Sequence, residues 1–354
     1  MITLPGLTVR PIVATDESDV LSLLRSTMPG SPSDTGAADF FRWKHLSNPF
    51  GASPGLVATD GDRIVGVRLF LRWDLTWGGR PIRAVRAVDT ATHPDYQRRG
   101  IFRSLTLTLL AQLERDEGVQ LVFNTPNADS LPGYLRMGWE PVAVLPVRIS
   151  PVRPFRFLIG VRGASRANAS GTSADVRPDV GSRAGRAVRS HLPTAREVLD
   201  AAEPVRDLLE QRARPSRLHT ALSQEYLAWR YAAVPGMDYR AVAVRREGRL
   251  VGLGLGRVRA RATLTELTLG DVIVAAGDRS AARAVLLAAR RSGVDHVALH
   301  APPGTEVERA ALSCGYLAAP GRGIRLVANV RPGCPSALLD PDEWGLSLGD
   351  LEVF

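Results

Sequence analysis

The stretch His93-Pro94-Asp95-Tyr96-Gln97-Arg98-Arg99-Gly100-Ile101-Phe102 holds the most legible chemistry in this chain. It is a short, basic, glycine-containing loop that runs into a helical pattern, with Phe102, Leu105, Leu109 and Leu113 recurring at helical spacing. The first N–H groups of a helix have no internal acceptors, and the helix dipole puts partial positive charge beside them, so such a junction favours a bound anion. Arg98 and Arg99 add full charges that suit a diphosphate better than a single carboxylate. Just upstream, Asp89 is the only acidic residue in the run Arg80–Thr92.

The flanking residues supply the elements that must hold this loop. Trp73–Trp77, a Gly78-Gly79 turn and Arg80–Thr92 predict a hairpin with a tight two-residue turn. The helix after the loop closes at Glu114–Gly118, and Leu121-Val122-Phe123-Asn124 reads as a short buried strand. Asn127 to Trp139 then predicts a one- or two-turn helix, with Pro132 in its first turn behind Asp129 or Ser130 as cap and Gly138 as its end.

Strand, basic glycine loop, helix, strand and a Tyr-x-x-x-Gly-aromatic ending together resemble the Gcn5-related N-acetyltransferases (GNAT). Gln97, Arg98, Arg99, Gly100 and Ile101 fit that family's Gln/Arg-x-x-Gly-x-Gly/Ala loop, while Phe102 departs from its usual small residue. Tyr134 and Gly138-Trp139 fit the second block, and the resemblance spans residues 1 to about 150. It implies that backbone groups along Val88, Asp89, Thr90 and Thr92 run beside the pantetheine of acetyl-coenzyme A. Amides from Arg98 to Phe102 would hold the pyrophosphate, and Asn127, with Asn124 as a further candidate, would meet the pantetheine arm where two central strands splay apart.

Acetyl transfer from a thioester to an amine needs a neutral amine, a polarised carbonyl and a proton for the departing thiolate. In the family the amine attacks directly, so no nucleophilic side chain is required; neither Cys314 nor Cys334 falls in the first domain. Tyr134 is the candidate general acid, against the alternative that its ring only packs the short helix on the sheet. Asp89 is the candidate base, against the alternative of a carboxylate paired with Arg83 or Arg86. His93, ahead of Pro94, reads as a cap or surface residue.

A chain of 354 residues has room for about two domains. No apolar run approaches the ~20 residues that span a bilayer, and the N-terminus has no basic region followed by an apolar core, so a cytoplasmic protein is expected. Two cysteines make neither a disulfide framework nor a zinc site, and no metal is expected. Part of the net charge of +9 lies between Val161 and Ser190, where six arginines stand against two aspartates in a Gly/Ala/Ser/Pro background that reads as a disordered linker. Charge placed in a tether, with no aromatic-and-basic platform, argues against a nucleic-acid partner.

Beyond that stretch the pattern restarts. Pro49 and Gly66 follow Trp43 by six and 23 residues, and Pro235 and Gly252 follow Trp229 at the same spacings, which points to an internal duplication. The aromatic helices around both tryptophans read as core packing. The second copy lacks the basic glycine loop, having Ala276-Gly-Asp-Arg-Ser280 instead, and four residues before Gly315 it has Ala311 where the first copy has Tyr134.

The expected fold is therefore α/β (α+β), with two tandem GNAT-like domains, each a mixed, mostly antiparallel central sheet flanked by helices. Residues 1–155 form the catalytic domain, 156–190 the linker and 191–354 a degenerate domain that helps wall the acceptor site. The expected activity is transfer of acetyl from acetyl-coenzyme A to a primary amine of a small molecule, an amino sugar being one analogy. The alternatives are a longer-chain acyl donor, an aminoacyl donor as in Fem-type transferases, or a non-catalytic coenzyme A scaffold. Oligomeric state is left open by the sequence.

Overall fold

The computed structural model describes residues 4–27, 34–169 and 190–351. The chain divides into two compact units, Met1–Ala143 with Arg325–Glu343 and Val144–Ile324 with Trp344–Phe354. Each unit therefore takes residues from both halves of the chain.

The first unit begins with β1 (Thr8–Pro11), α1 (Glu17–Thr27) and α2 (Asp34–His45), followed by β2 (Gly55–Asp60), β3 (Arg63–Trp77) and β4 (Arg80–Thr92). Next come α3 (Ile101–Glu117), β5 (Leu121–Asn124), α4 (Leu131–Arg136) and the start of β6 (Glu140–Pro151). The hairpin predicted around Gly78-Gly79 is β3–β4, and both glycines have positive φ, 54° and 77°, as a primed two-residue turn requires. The predicted helix after the loop is α3; Gly118, at φ 65°, ends it by donating to the carbonyls of Glu114 and Leu113.

Strands β1 to β4 pair antiparallel in sequence order, and β5 joins β4 in parallel. Its outer edge is closed by Val327–Val330 of β12 (Leu317–Val330), antiparallel to Leu121–Asn124. One face of this sheet packs Phe70, Val85 and Val122 against Ile101, Leu105 and Leu109 of α3, with Tyr134 and Trp139 in the same cluster. The other face packs Val57, Val67 and Leu69 against Val20, Leu23 and Leu24 of α1 and Phe41 of α2. Alternation along β3 sends neighbouring side chains to opposite layers. Trp43 is 4% exposed, as core packing requires.

The second unit repeats the order. β8 (Tyr239–Arg246), β9 (Arg249–Arg261) and β10 (Leu264–Val274) form an antiparallel meander, followed by α9 (Arg279–Arg290), β11 (His296–Leu299) parallel to β10, and α10 (Glu306–Ser313). Arg148–Pro151 of β6 pair antiparallel with β11, in the place that β12 takes beside β5 in the first unit. The run Gly252–Gly256 lies inside β9, as a strand continuing past it requires, and Trp229 is buried at 5% exposure. The stretch expected as a linker opens on a helix, Pro154–Ala169, with Gly160 seated against Leu264; the remaining linker residues, 170–189, lie outside the described residues.

Candidate active site

β4 and β5 pair only over Ala84–Arg86 and Leu121–Phe123, and β4 continues six residues further, to Thr92. From Ala87 onward its edge facing β5 has no strand partner among the described residues, whereas its other edge stays bonded to β3. Val88, Thr90 and Thr92 lie on this stretch, Val88 buried and the two threonines half-buried. Between Arg68–Thr90 and Leu69–Val88 the register slips by one, and Asp89 is the extra residue. Its φ of 32° marks a β-bulge, which re-aims a side chain. Aspartate is among the few non-glycine residues that accept positive φ.

Past Thr92 the chain makes one turn, Pro94–Tyr96, before the loop. The imidazole of His93 accepts from the Asp95 amide and lies 2.7 Å from Arg63 Nη2, a capping role. Gln97, Arg98, Arg99 and Gly100 are exposed; Arg98 has φ 62° and Gly100 φ 79°. Gly100 is the N-cap of α3, and no side chain among the described residues caps this helix. Its leading amides, including those of buried Ile101 and half-buried Phe102, are thus left for a ligand. Ile101 fixes the approach of the loop to the sheet: a Cβ on Gly66 would lie 2.4 Å from its Cγ2. The Phe102 ring turns back over α4, edge-on to Tyr134 at 5.5 Å between centroids, which explains how a large residue fits this position.

Tyr134 is 3% exposed, and its hydroxyl accepts a hydrogen bond from Arg68 Nη1 at 3.0 Å. Asn127 is exposed; its side-chain oxygen accepts from the amide and the hydroxyl of Ser130, both at 2.8 Å, so it holds the entry to α4, the part expected of Asp129 or Ser130. Asn124, at the open end of β5, is 4% exposed, and its Oδ1 has no hydrogen-bond partner among the described residues.

Asp89 does not pair with Arg83 or Arg86. Its Oδ2 receives Lys44 Nζ at 2.8 Å and His45 Nε2 at 2.7 Å, and His45 Nδ1 lies 2.9 Å from Ser53 Oγ. Burial by itself would push the Asp89 carboxyl up; the Lys44 ammonium and the His45 hydrogen bond outweigh it and hold the group far below the usual carboxylate range. Lys44 and His45 escaped the sequence reading. The signal was present in the duplication, since Lys44-His45 follow Trp43 as Arg230-Tyr231 follow Trp229.

The second unit has a related cluster. Thr92 pairs with Gly66 and Val274 with Gly252, so Asp89 and Asp271 each stand three residues before the corresponding partner. Asp271 accepts from the Tyr231 hydroxyl, and Arg230 donates to the Gly349 carbonyl in the C-terminal segment. At α9 the Asp278 side chain accepts from the Ala281 amide, so a carboxylate already occupies the helix N-terminus. A separate pocket of about 370 Å³ lined by Arg72, Asp74, Arg83 and Glu117 lies further back along the β3–β4 hairpin and includes none of the site residues. Among the described residues no group of His, Cys, Asp and Glu is arranged to hold a metal ion, and no helix is long and apolar enough to cross a membrane.

Residues 8–142 match the family profile described as the acetyltransferase (GNAT) domain. No curated protein matches the sequence. Among solved structures, a conserved protein of unknown function from Enterococcus faecalis, reported as a probable N-acyltransferase, is similar over 92% of this chain and 72% of its own, at 12% identity and TM-score 0.61. A GCN5-related N-acetyltransferase from Anabaena variabilis covers the same shares at 11% identity and TM-score 0.61. A third, a GCN5-related N-acetyltransferase from Kribbella flavida, is similar over 93% and 72%, at 14% identity and TM-score 0.53. The uncapped basic helix N-terminus at the mouth of a split sheet lies within the stretch, residues 8–142, that matches the acetyltransferase (GNAT) domain, on a chain whose fold is similar to that of solved GCN5-related N-acetyltransferases.

Proposed function

We propose that the first unit transfers acetyl from acetyl-coenzyme A directly to the primary amine of a small molecule, and that the second unit is a GNAT-like copy that has lost its donor site. The observation that carries this is the uncapped N-terminus of α3 beside Arg98 and Arg99, set where β4 and β5 part. Amides from Arg98 to Phe102, with Gln97 at the loop's start, would hold the pyrophosphate. Backbone groups of Val88, Thr90 and Thr92 would pair with the pantetheine amides as a strand would. Asn124, whose buried Oδ1 lacks a partner among the described residues, suits the pantetheine arm better than Asn127, whose oxygen is engaged at α4.

In this scheme the amine nitrogen attacks the thioester carbonyl, the C–S bond breaks, and the sulfur takes the electron pair together with a proton from Tyr134. A carboxylate held as firmly ionised as Asp89 is a poor proton acceptor. We therefore assign it to orient His45, and His45 to receive the proton released by the amine. The counterpart of His45 is Tyr231, which suits no such role. Asp278 across the N-terminus of α9 argues against a second donor site, because it would repel a diphosphate.

Titration calorimetry of acetyl-coenzyme A into the full chain tests this. One site per chain is expected, lost in Arg99→Ala/Gly100→Glu, where a new carboxylate stands on a residue with φ 79°. Two sites would overturn the assignment of the second unit, and no binding would overturn the donor itself. A screen of amino sugars, polyamines and lysine peptides for thiol release then identifies the acceptor class.

A further inference from the structure

Arg68 lies on β3 opposite Thr90 and is 0% exposed. Its guanidinium sits among three rings, 4.6 Å from the centroid of Phe70, 5.6 Å from Tyr134 and 5.8 Å from Phe102. Its Nη1 donates to the Tyr134 hydroxyl at 3.0 Å, while Nε and Nη2 are buried with no hydrogen-bond partner among the described residues. No carboxylate is paired with it among the described residues. A permanent cation kept this way is costly, and packing alone does not call for it.

The duplicated unit shows what such a sheet does without the cation. Arg68 stands two residues after Gly66, and the residue two after Gly252 is Gly254. In that unit a glycine on β9 packs against Val285 of α9, and Ala311 stands in the place of Tyr134. Arginine and phenol are both missing from the copy that also lacks the basic loop.

We propose that Arg68 is a positioning residue for Tyr134, one that orients the phenol and stabilises the negative charge left on its oxygen after proton donation. This rests on the assignment of Tyr134 as general acid. A guanidinium has donors and no acceptor, so it takes a lone pair of the phenolic oxygen and leaves the O–H free to point at another acceptor. When the C–S bond breaks, that proton passes to sulfur and the phenolic oxygen carries the charge until solvent returns a proton. A fixed cation at hydrogen-bond distance, shielded from water, lowers the energy of that charge without reorganising.

The test is a double-mutant cycle on acetyl transfer to the first amine that gives turnover, with acetyl-coenzyme A affinity measured in parallel. Arg68→Met should lower kcat by about a hundredfold, equivalent to about 2.7 kcal/mol, with the acetyl-coenzyme A Kd unchanged within about twofold. Arg68→Lys, which keeps the charge should the methionine variant fail to fold, should recover part of the rate. In the Tyr134→Phe background Arg68→Met should cost almost nothing further, because the group it serves is gone. An equal loss in both backgrounds, or loss of acetyl-coenzyme A binding in Arg68→Met, would overturn the proposal and leave the acid assignment standing. Full activity in Tyr134→Phe would overturn the acid assignment itself.

Discussion

His45 Nε2 lies 2.7 Å from Asp89 Oδ2, and the neighbouring Lys44 reaches the same oxygen at 2.8 Å. Two consecutive residues at the end of α2 thus clamp the one carboxylate of β4, on the residue that bulges where β4 leaves its partner strand. The bulge and the clamp depend on each other: an ordinary strand residue would keep the β3 register, and an unclamped carboxylate would be exposed to the full penalty of burial.

Asp89→Asn keeps the shape and the tolerance for positive φ, so it isolates the charge. Because the folded carboxyl titrates below its unfolded value, its stabilisation is complete above about pH 4 and is lost as pH falls toward the folded value. The variant should therefore be less stable than the parent at pH 7 by about 3–5 kcal/mol, and the gap should close below about pH 4. Urea denaturation across that range checks the sign; a gap that widened in acid would contradict the clamp.

Gly66→Ala should weaken the first unit in two ways. The new Cβ would lie 2.4 Å from Ile101 Cγ2, so the start of α3 must move away from β3. Overpacking of this kind costs about 1–3 kcal/mol. The melting temperature should drop, and acetyl-coenzyme A affinity should drop with it, because the loop amides ride on Ile101. Unchanged affinity would show that the loop holds its geometry without the glycine.

Asp278→Ala removes the cap of α9 and should destabilise the second unit by about 1 kcal/mol. Calorimetry should still find a single acetyl-coenzyme A site. A second site appearing once the carboxylate is gone would show that Asp278 was all that kept the copy silent.

Asp350 is pushed up to about 6 by burial, with the nearby Asp271 charge reinforcing the effect, while Thr220 and the Ser347 amide donate to it. A carboxyl raised in the folded state contributes most below its unfolded value near 4 and loses that contribution as pH rises through about 6. The second unit should thus be more stable at pH 5 than at pH 8, by about 1.4 kcal/mol. Asp350→Asn should flatten the difference, as denaturation at the two pH values would show.

Much of the local structure around the candidate donor site was legible in sequence because its signals are local. Gly78-Gly79, the Gly100 junction, Gly118 and Pro132 are turn and cap chemistry, written in windows of a few residues. Spacing alone also carried the duplication from Trp43 to Gly66 and from Trp229 to Gly252. Phe102, which departed from the loop pattern, is accommodated because Gly133 leaves room for its ring.

The candidate proton-handling groups were only half legible. Tyr134 and Asp89 stood out by type and place, but their partners did not: Arg68 is 66 residues from Tyr134, and His45 is 44 residues from Asp89. Strand register decides that Arg68 lies across from Thr90, and a single bulge decides where Asp89 points. The placing of Arg325–Glu343 in the first unit and of Val144–Pro151 in the second was equally out of reach, since any apolar strand can close the edge of a sheet. What the sequence determined by itself was the set of elements and the basic glycine loop at the start of α3, because short-range periodicity and backbone chemistry are sufficient for those. Which side chains meet, and therefore which carboxylate stays ionised and which phenol has a cation at its oxygen, was decided only by register and burial in the folded chain.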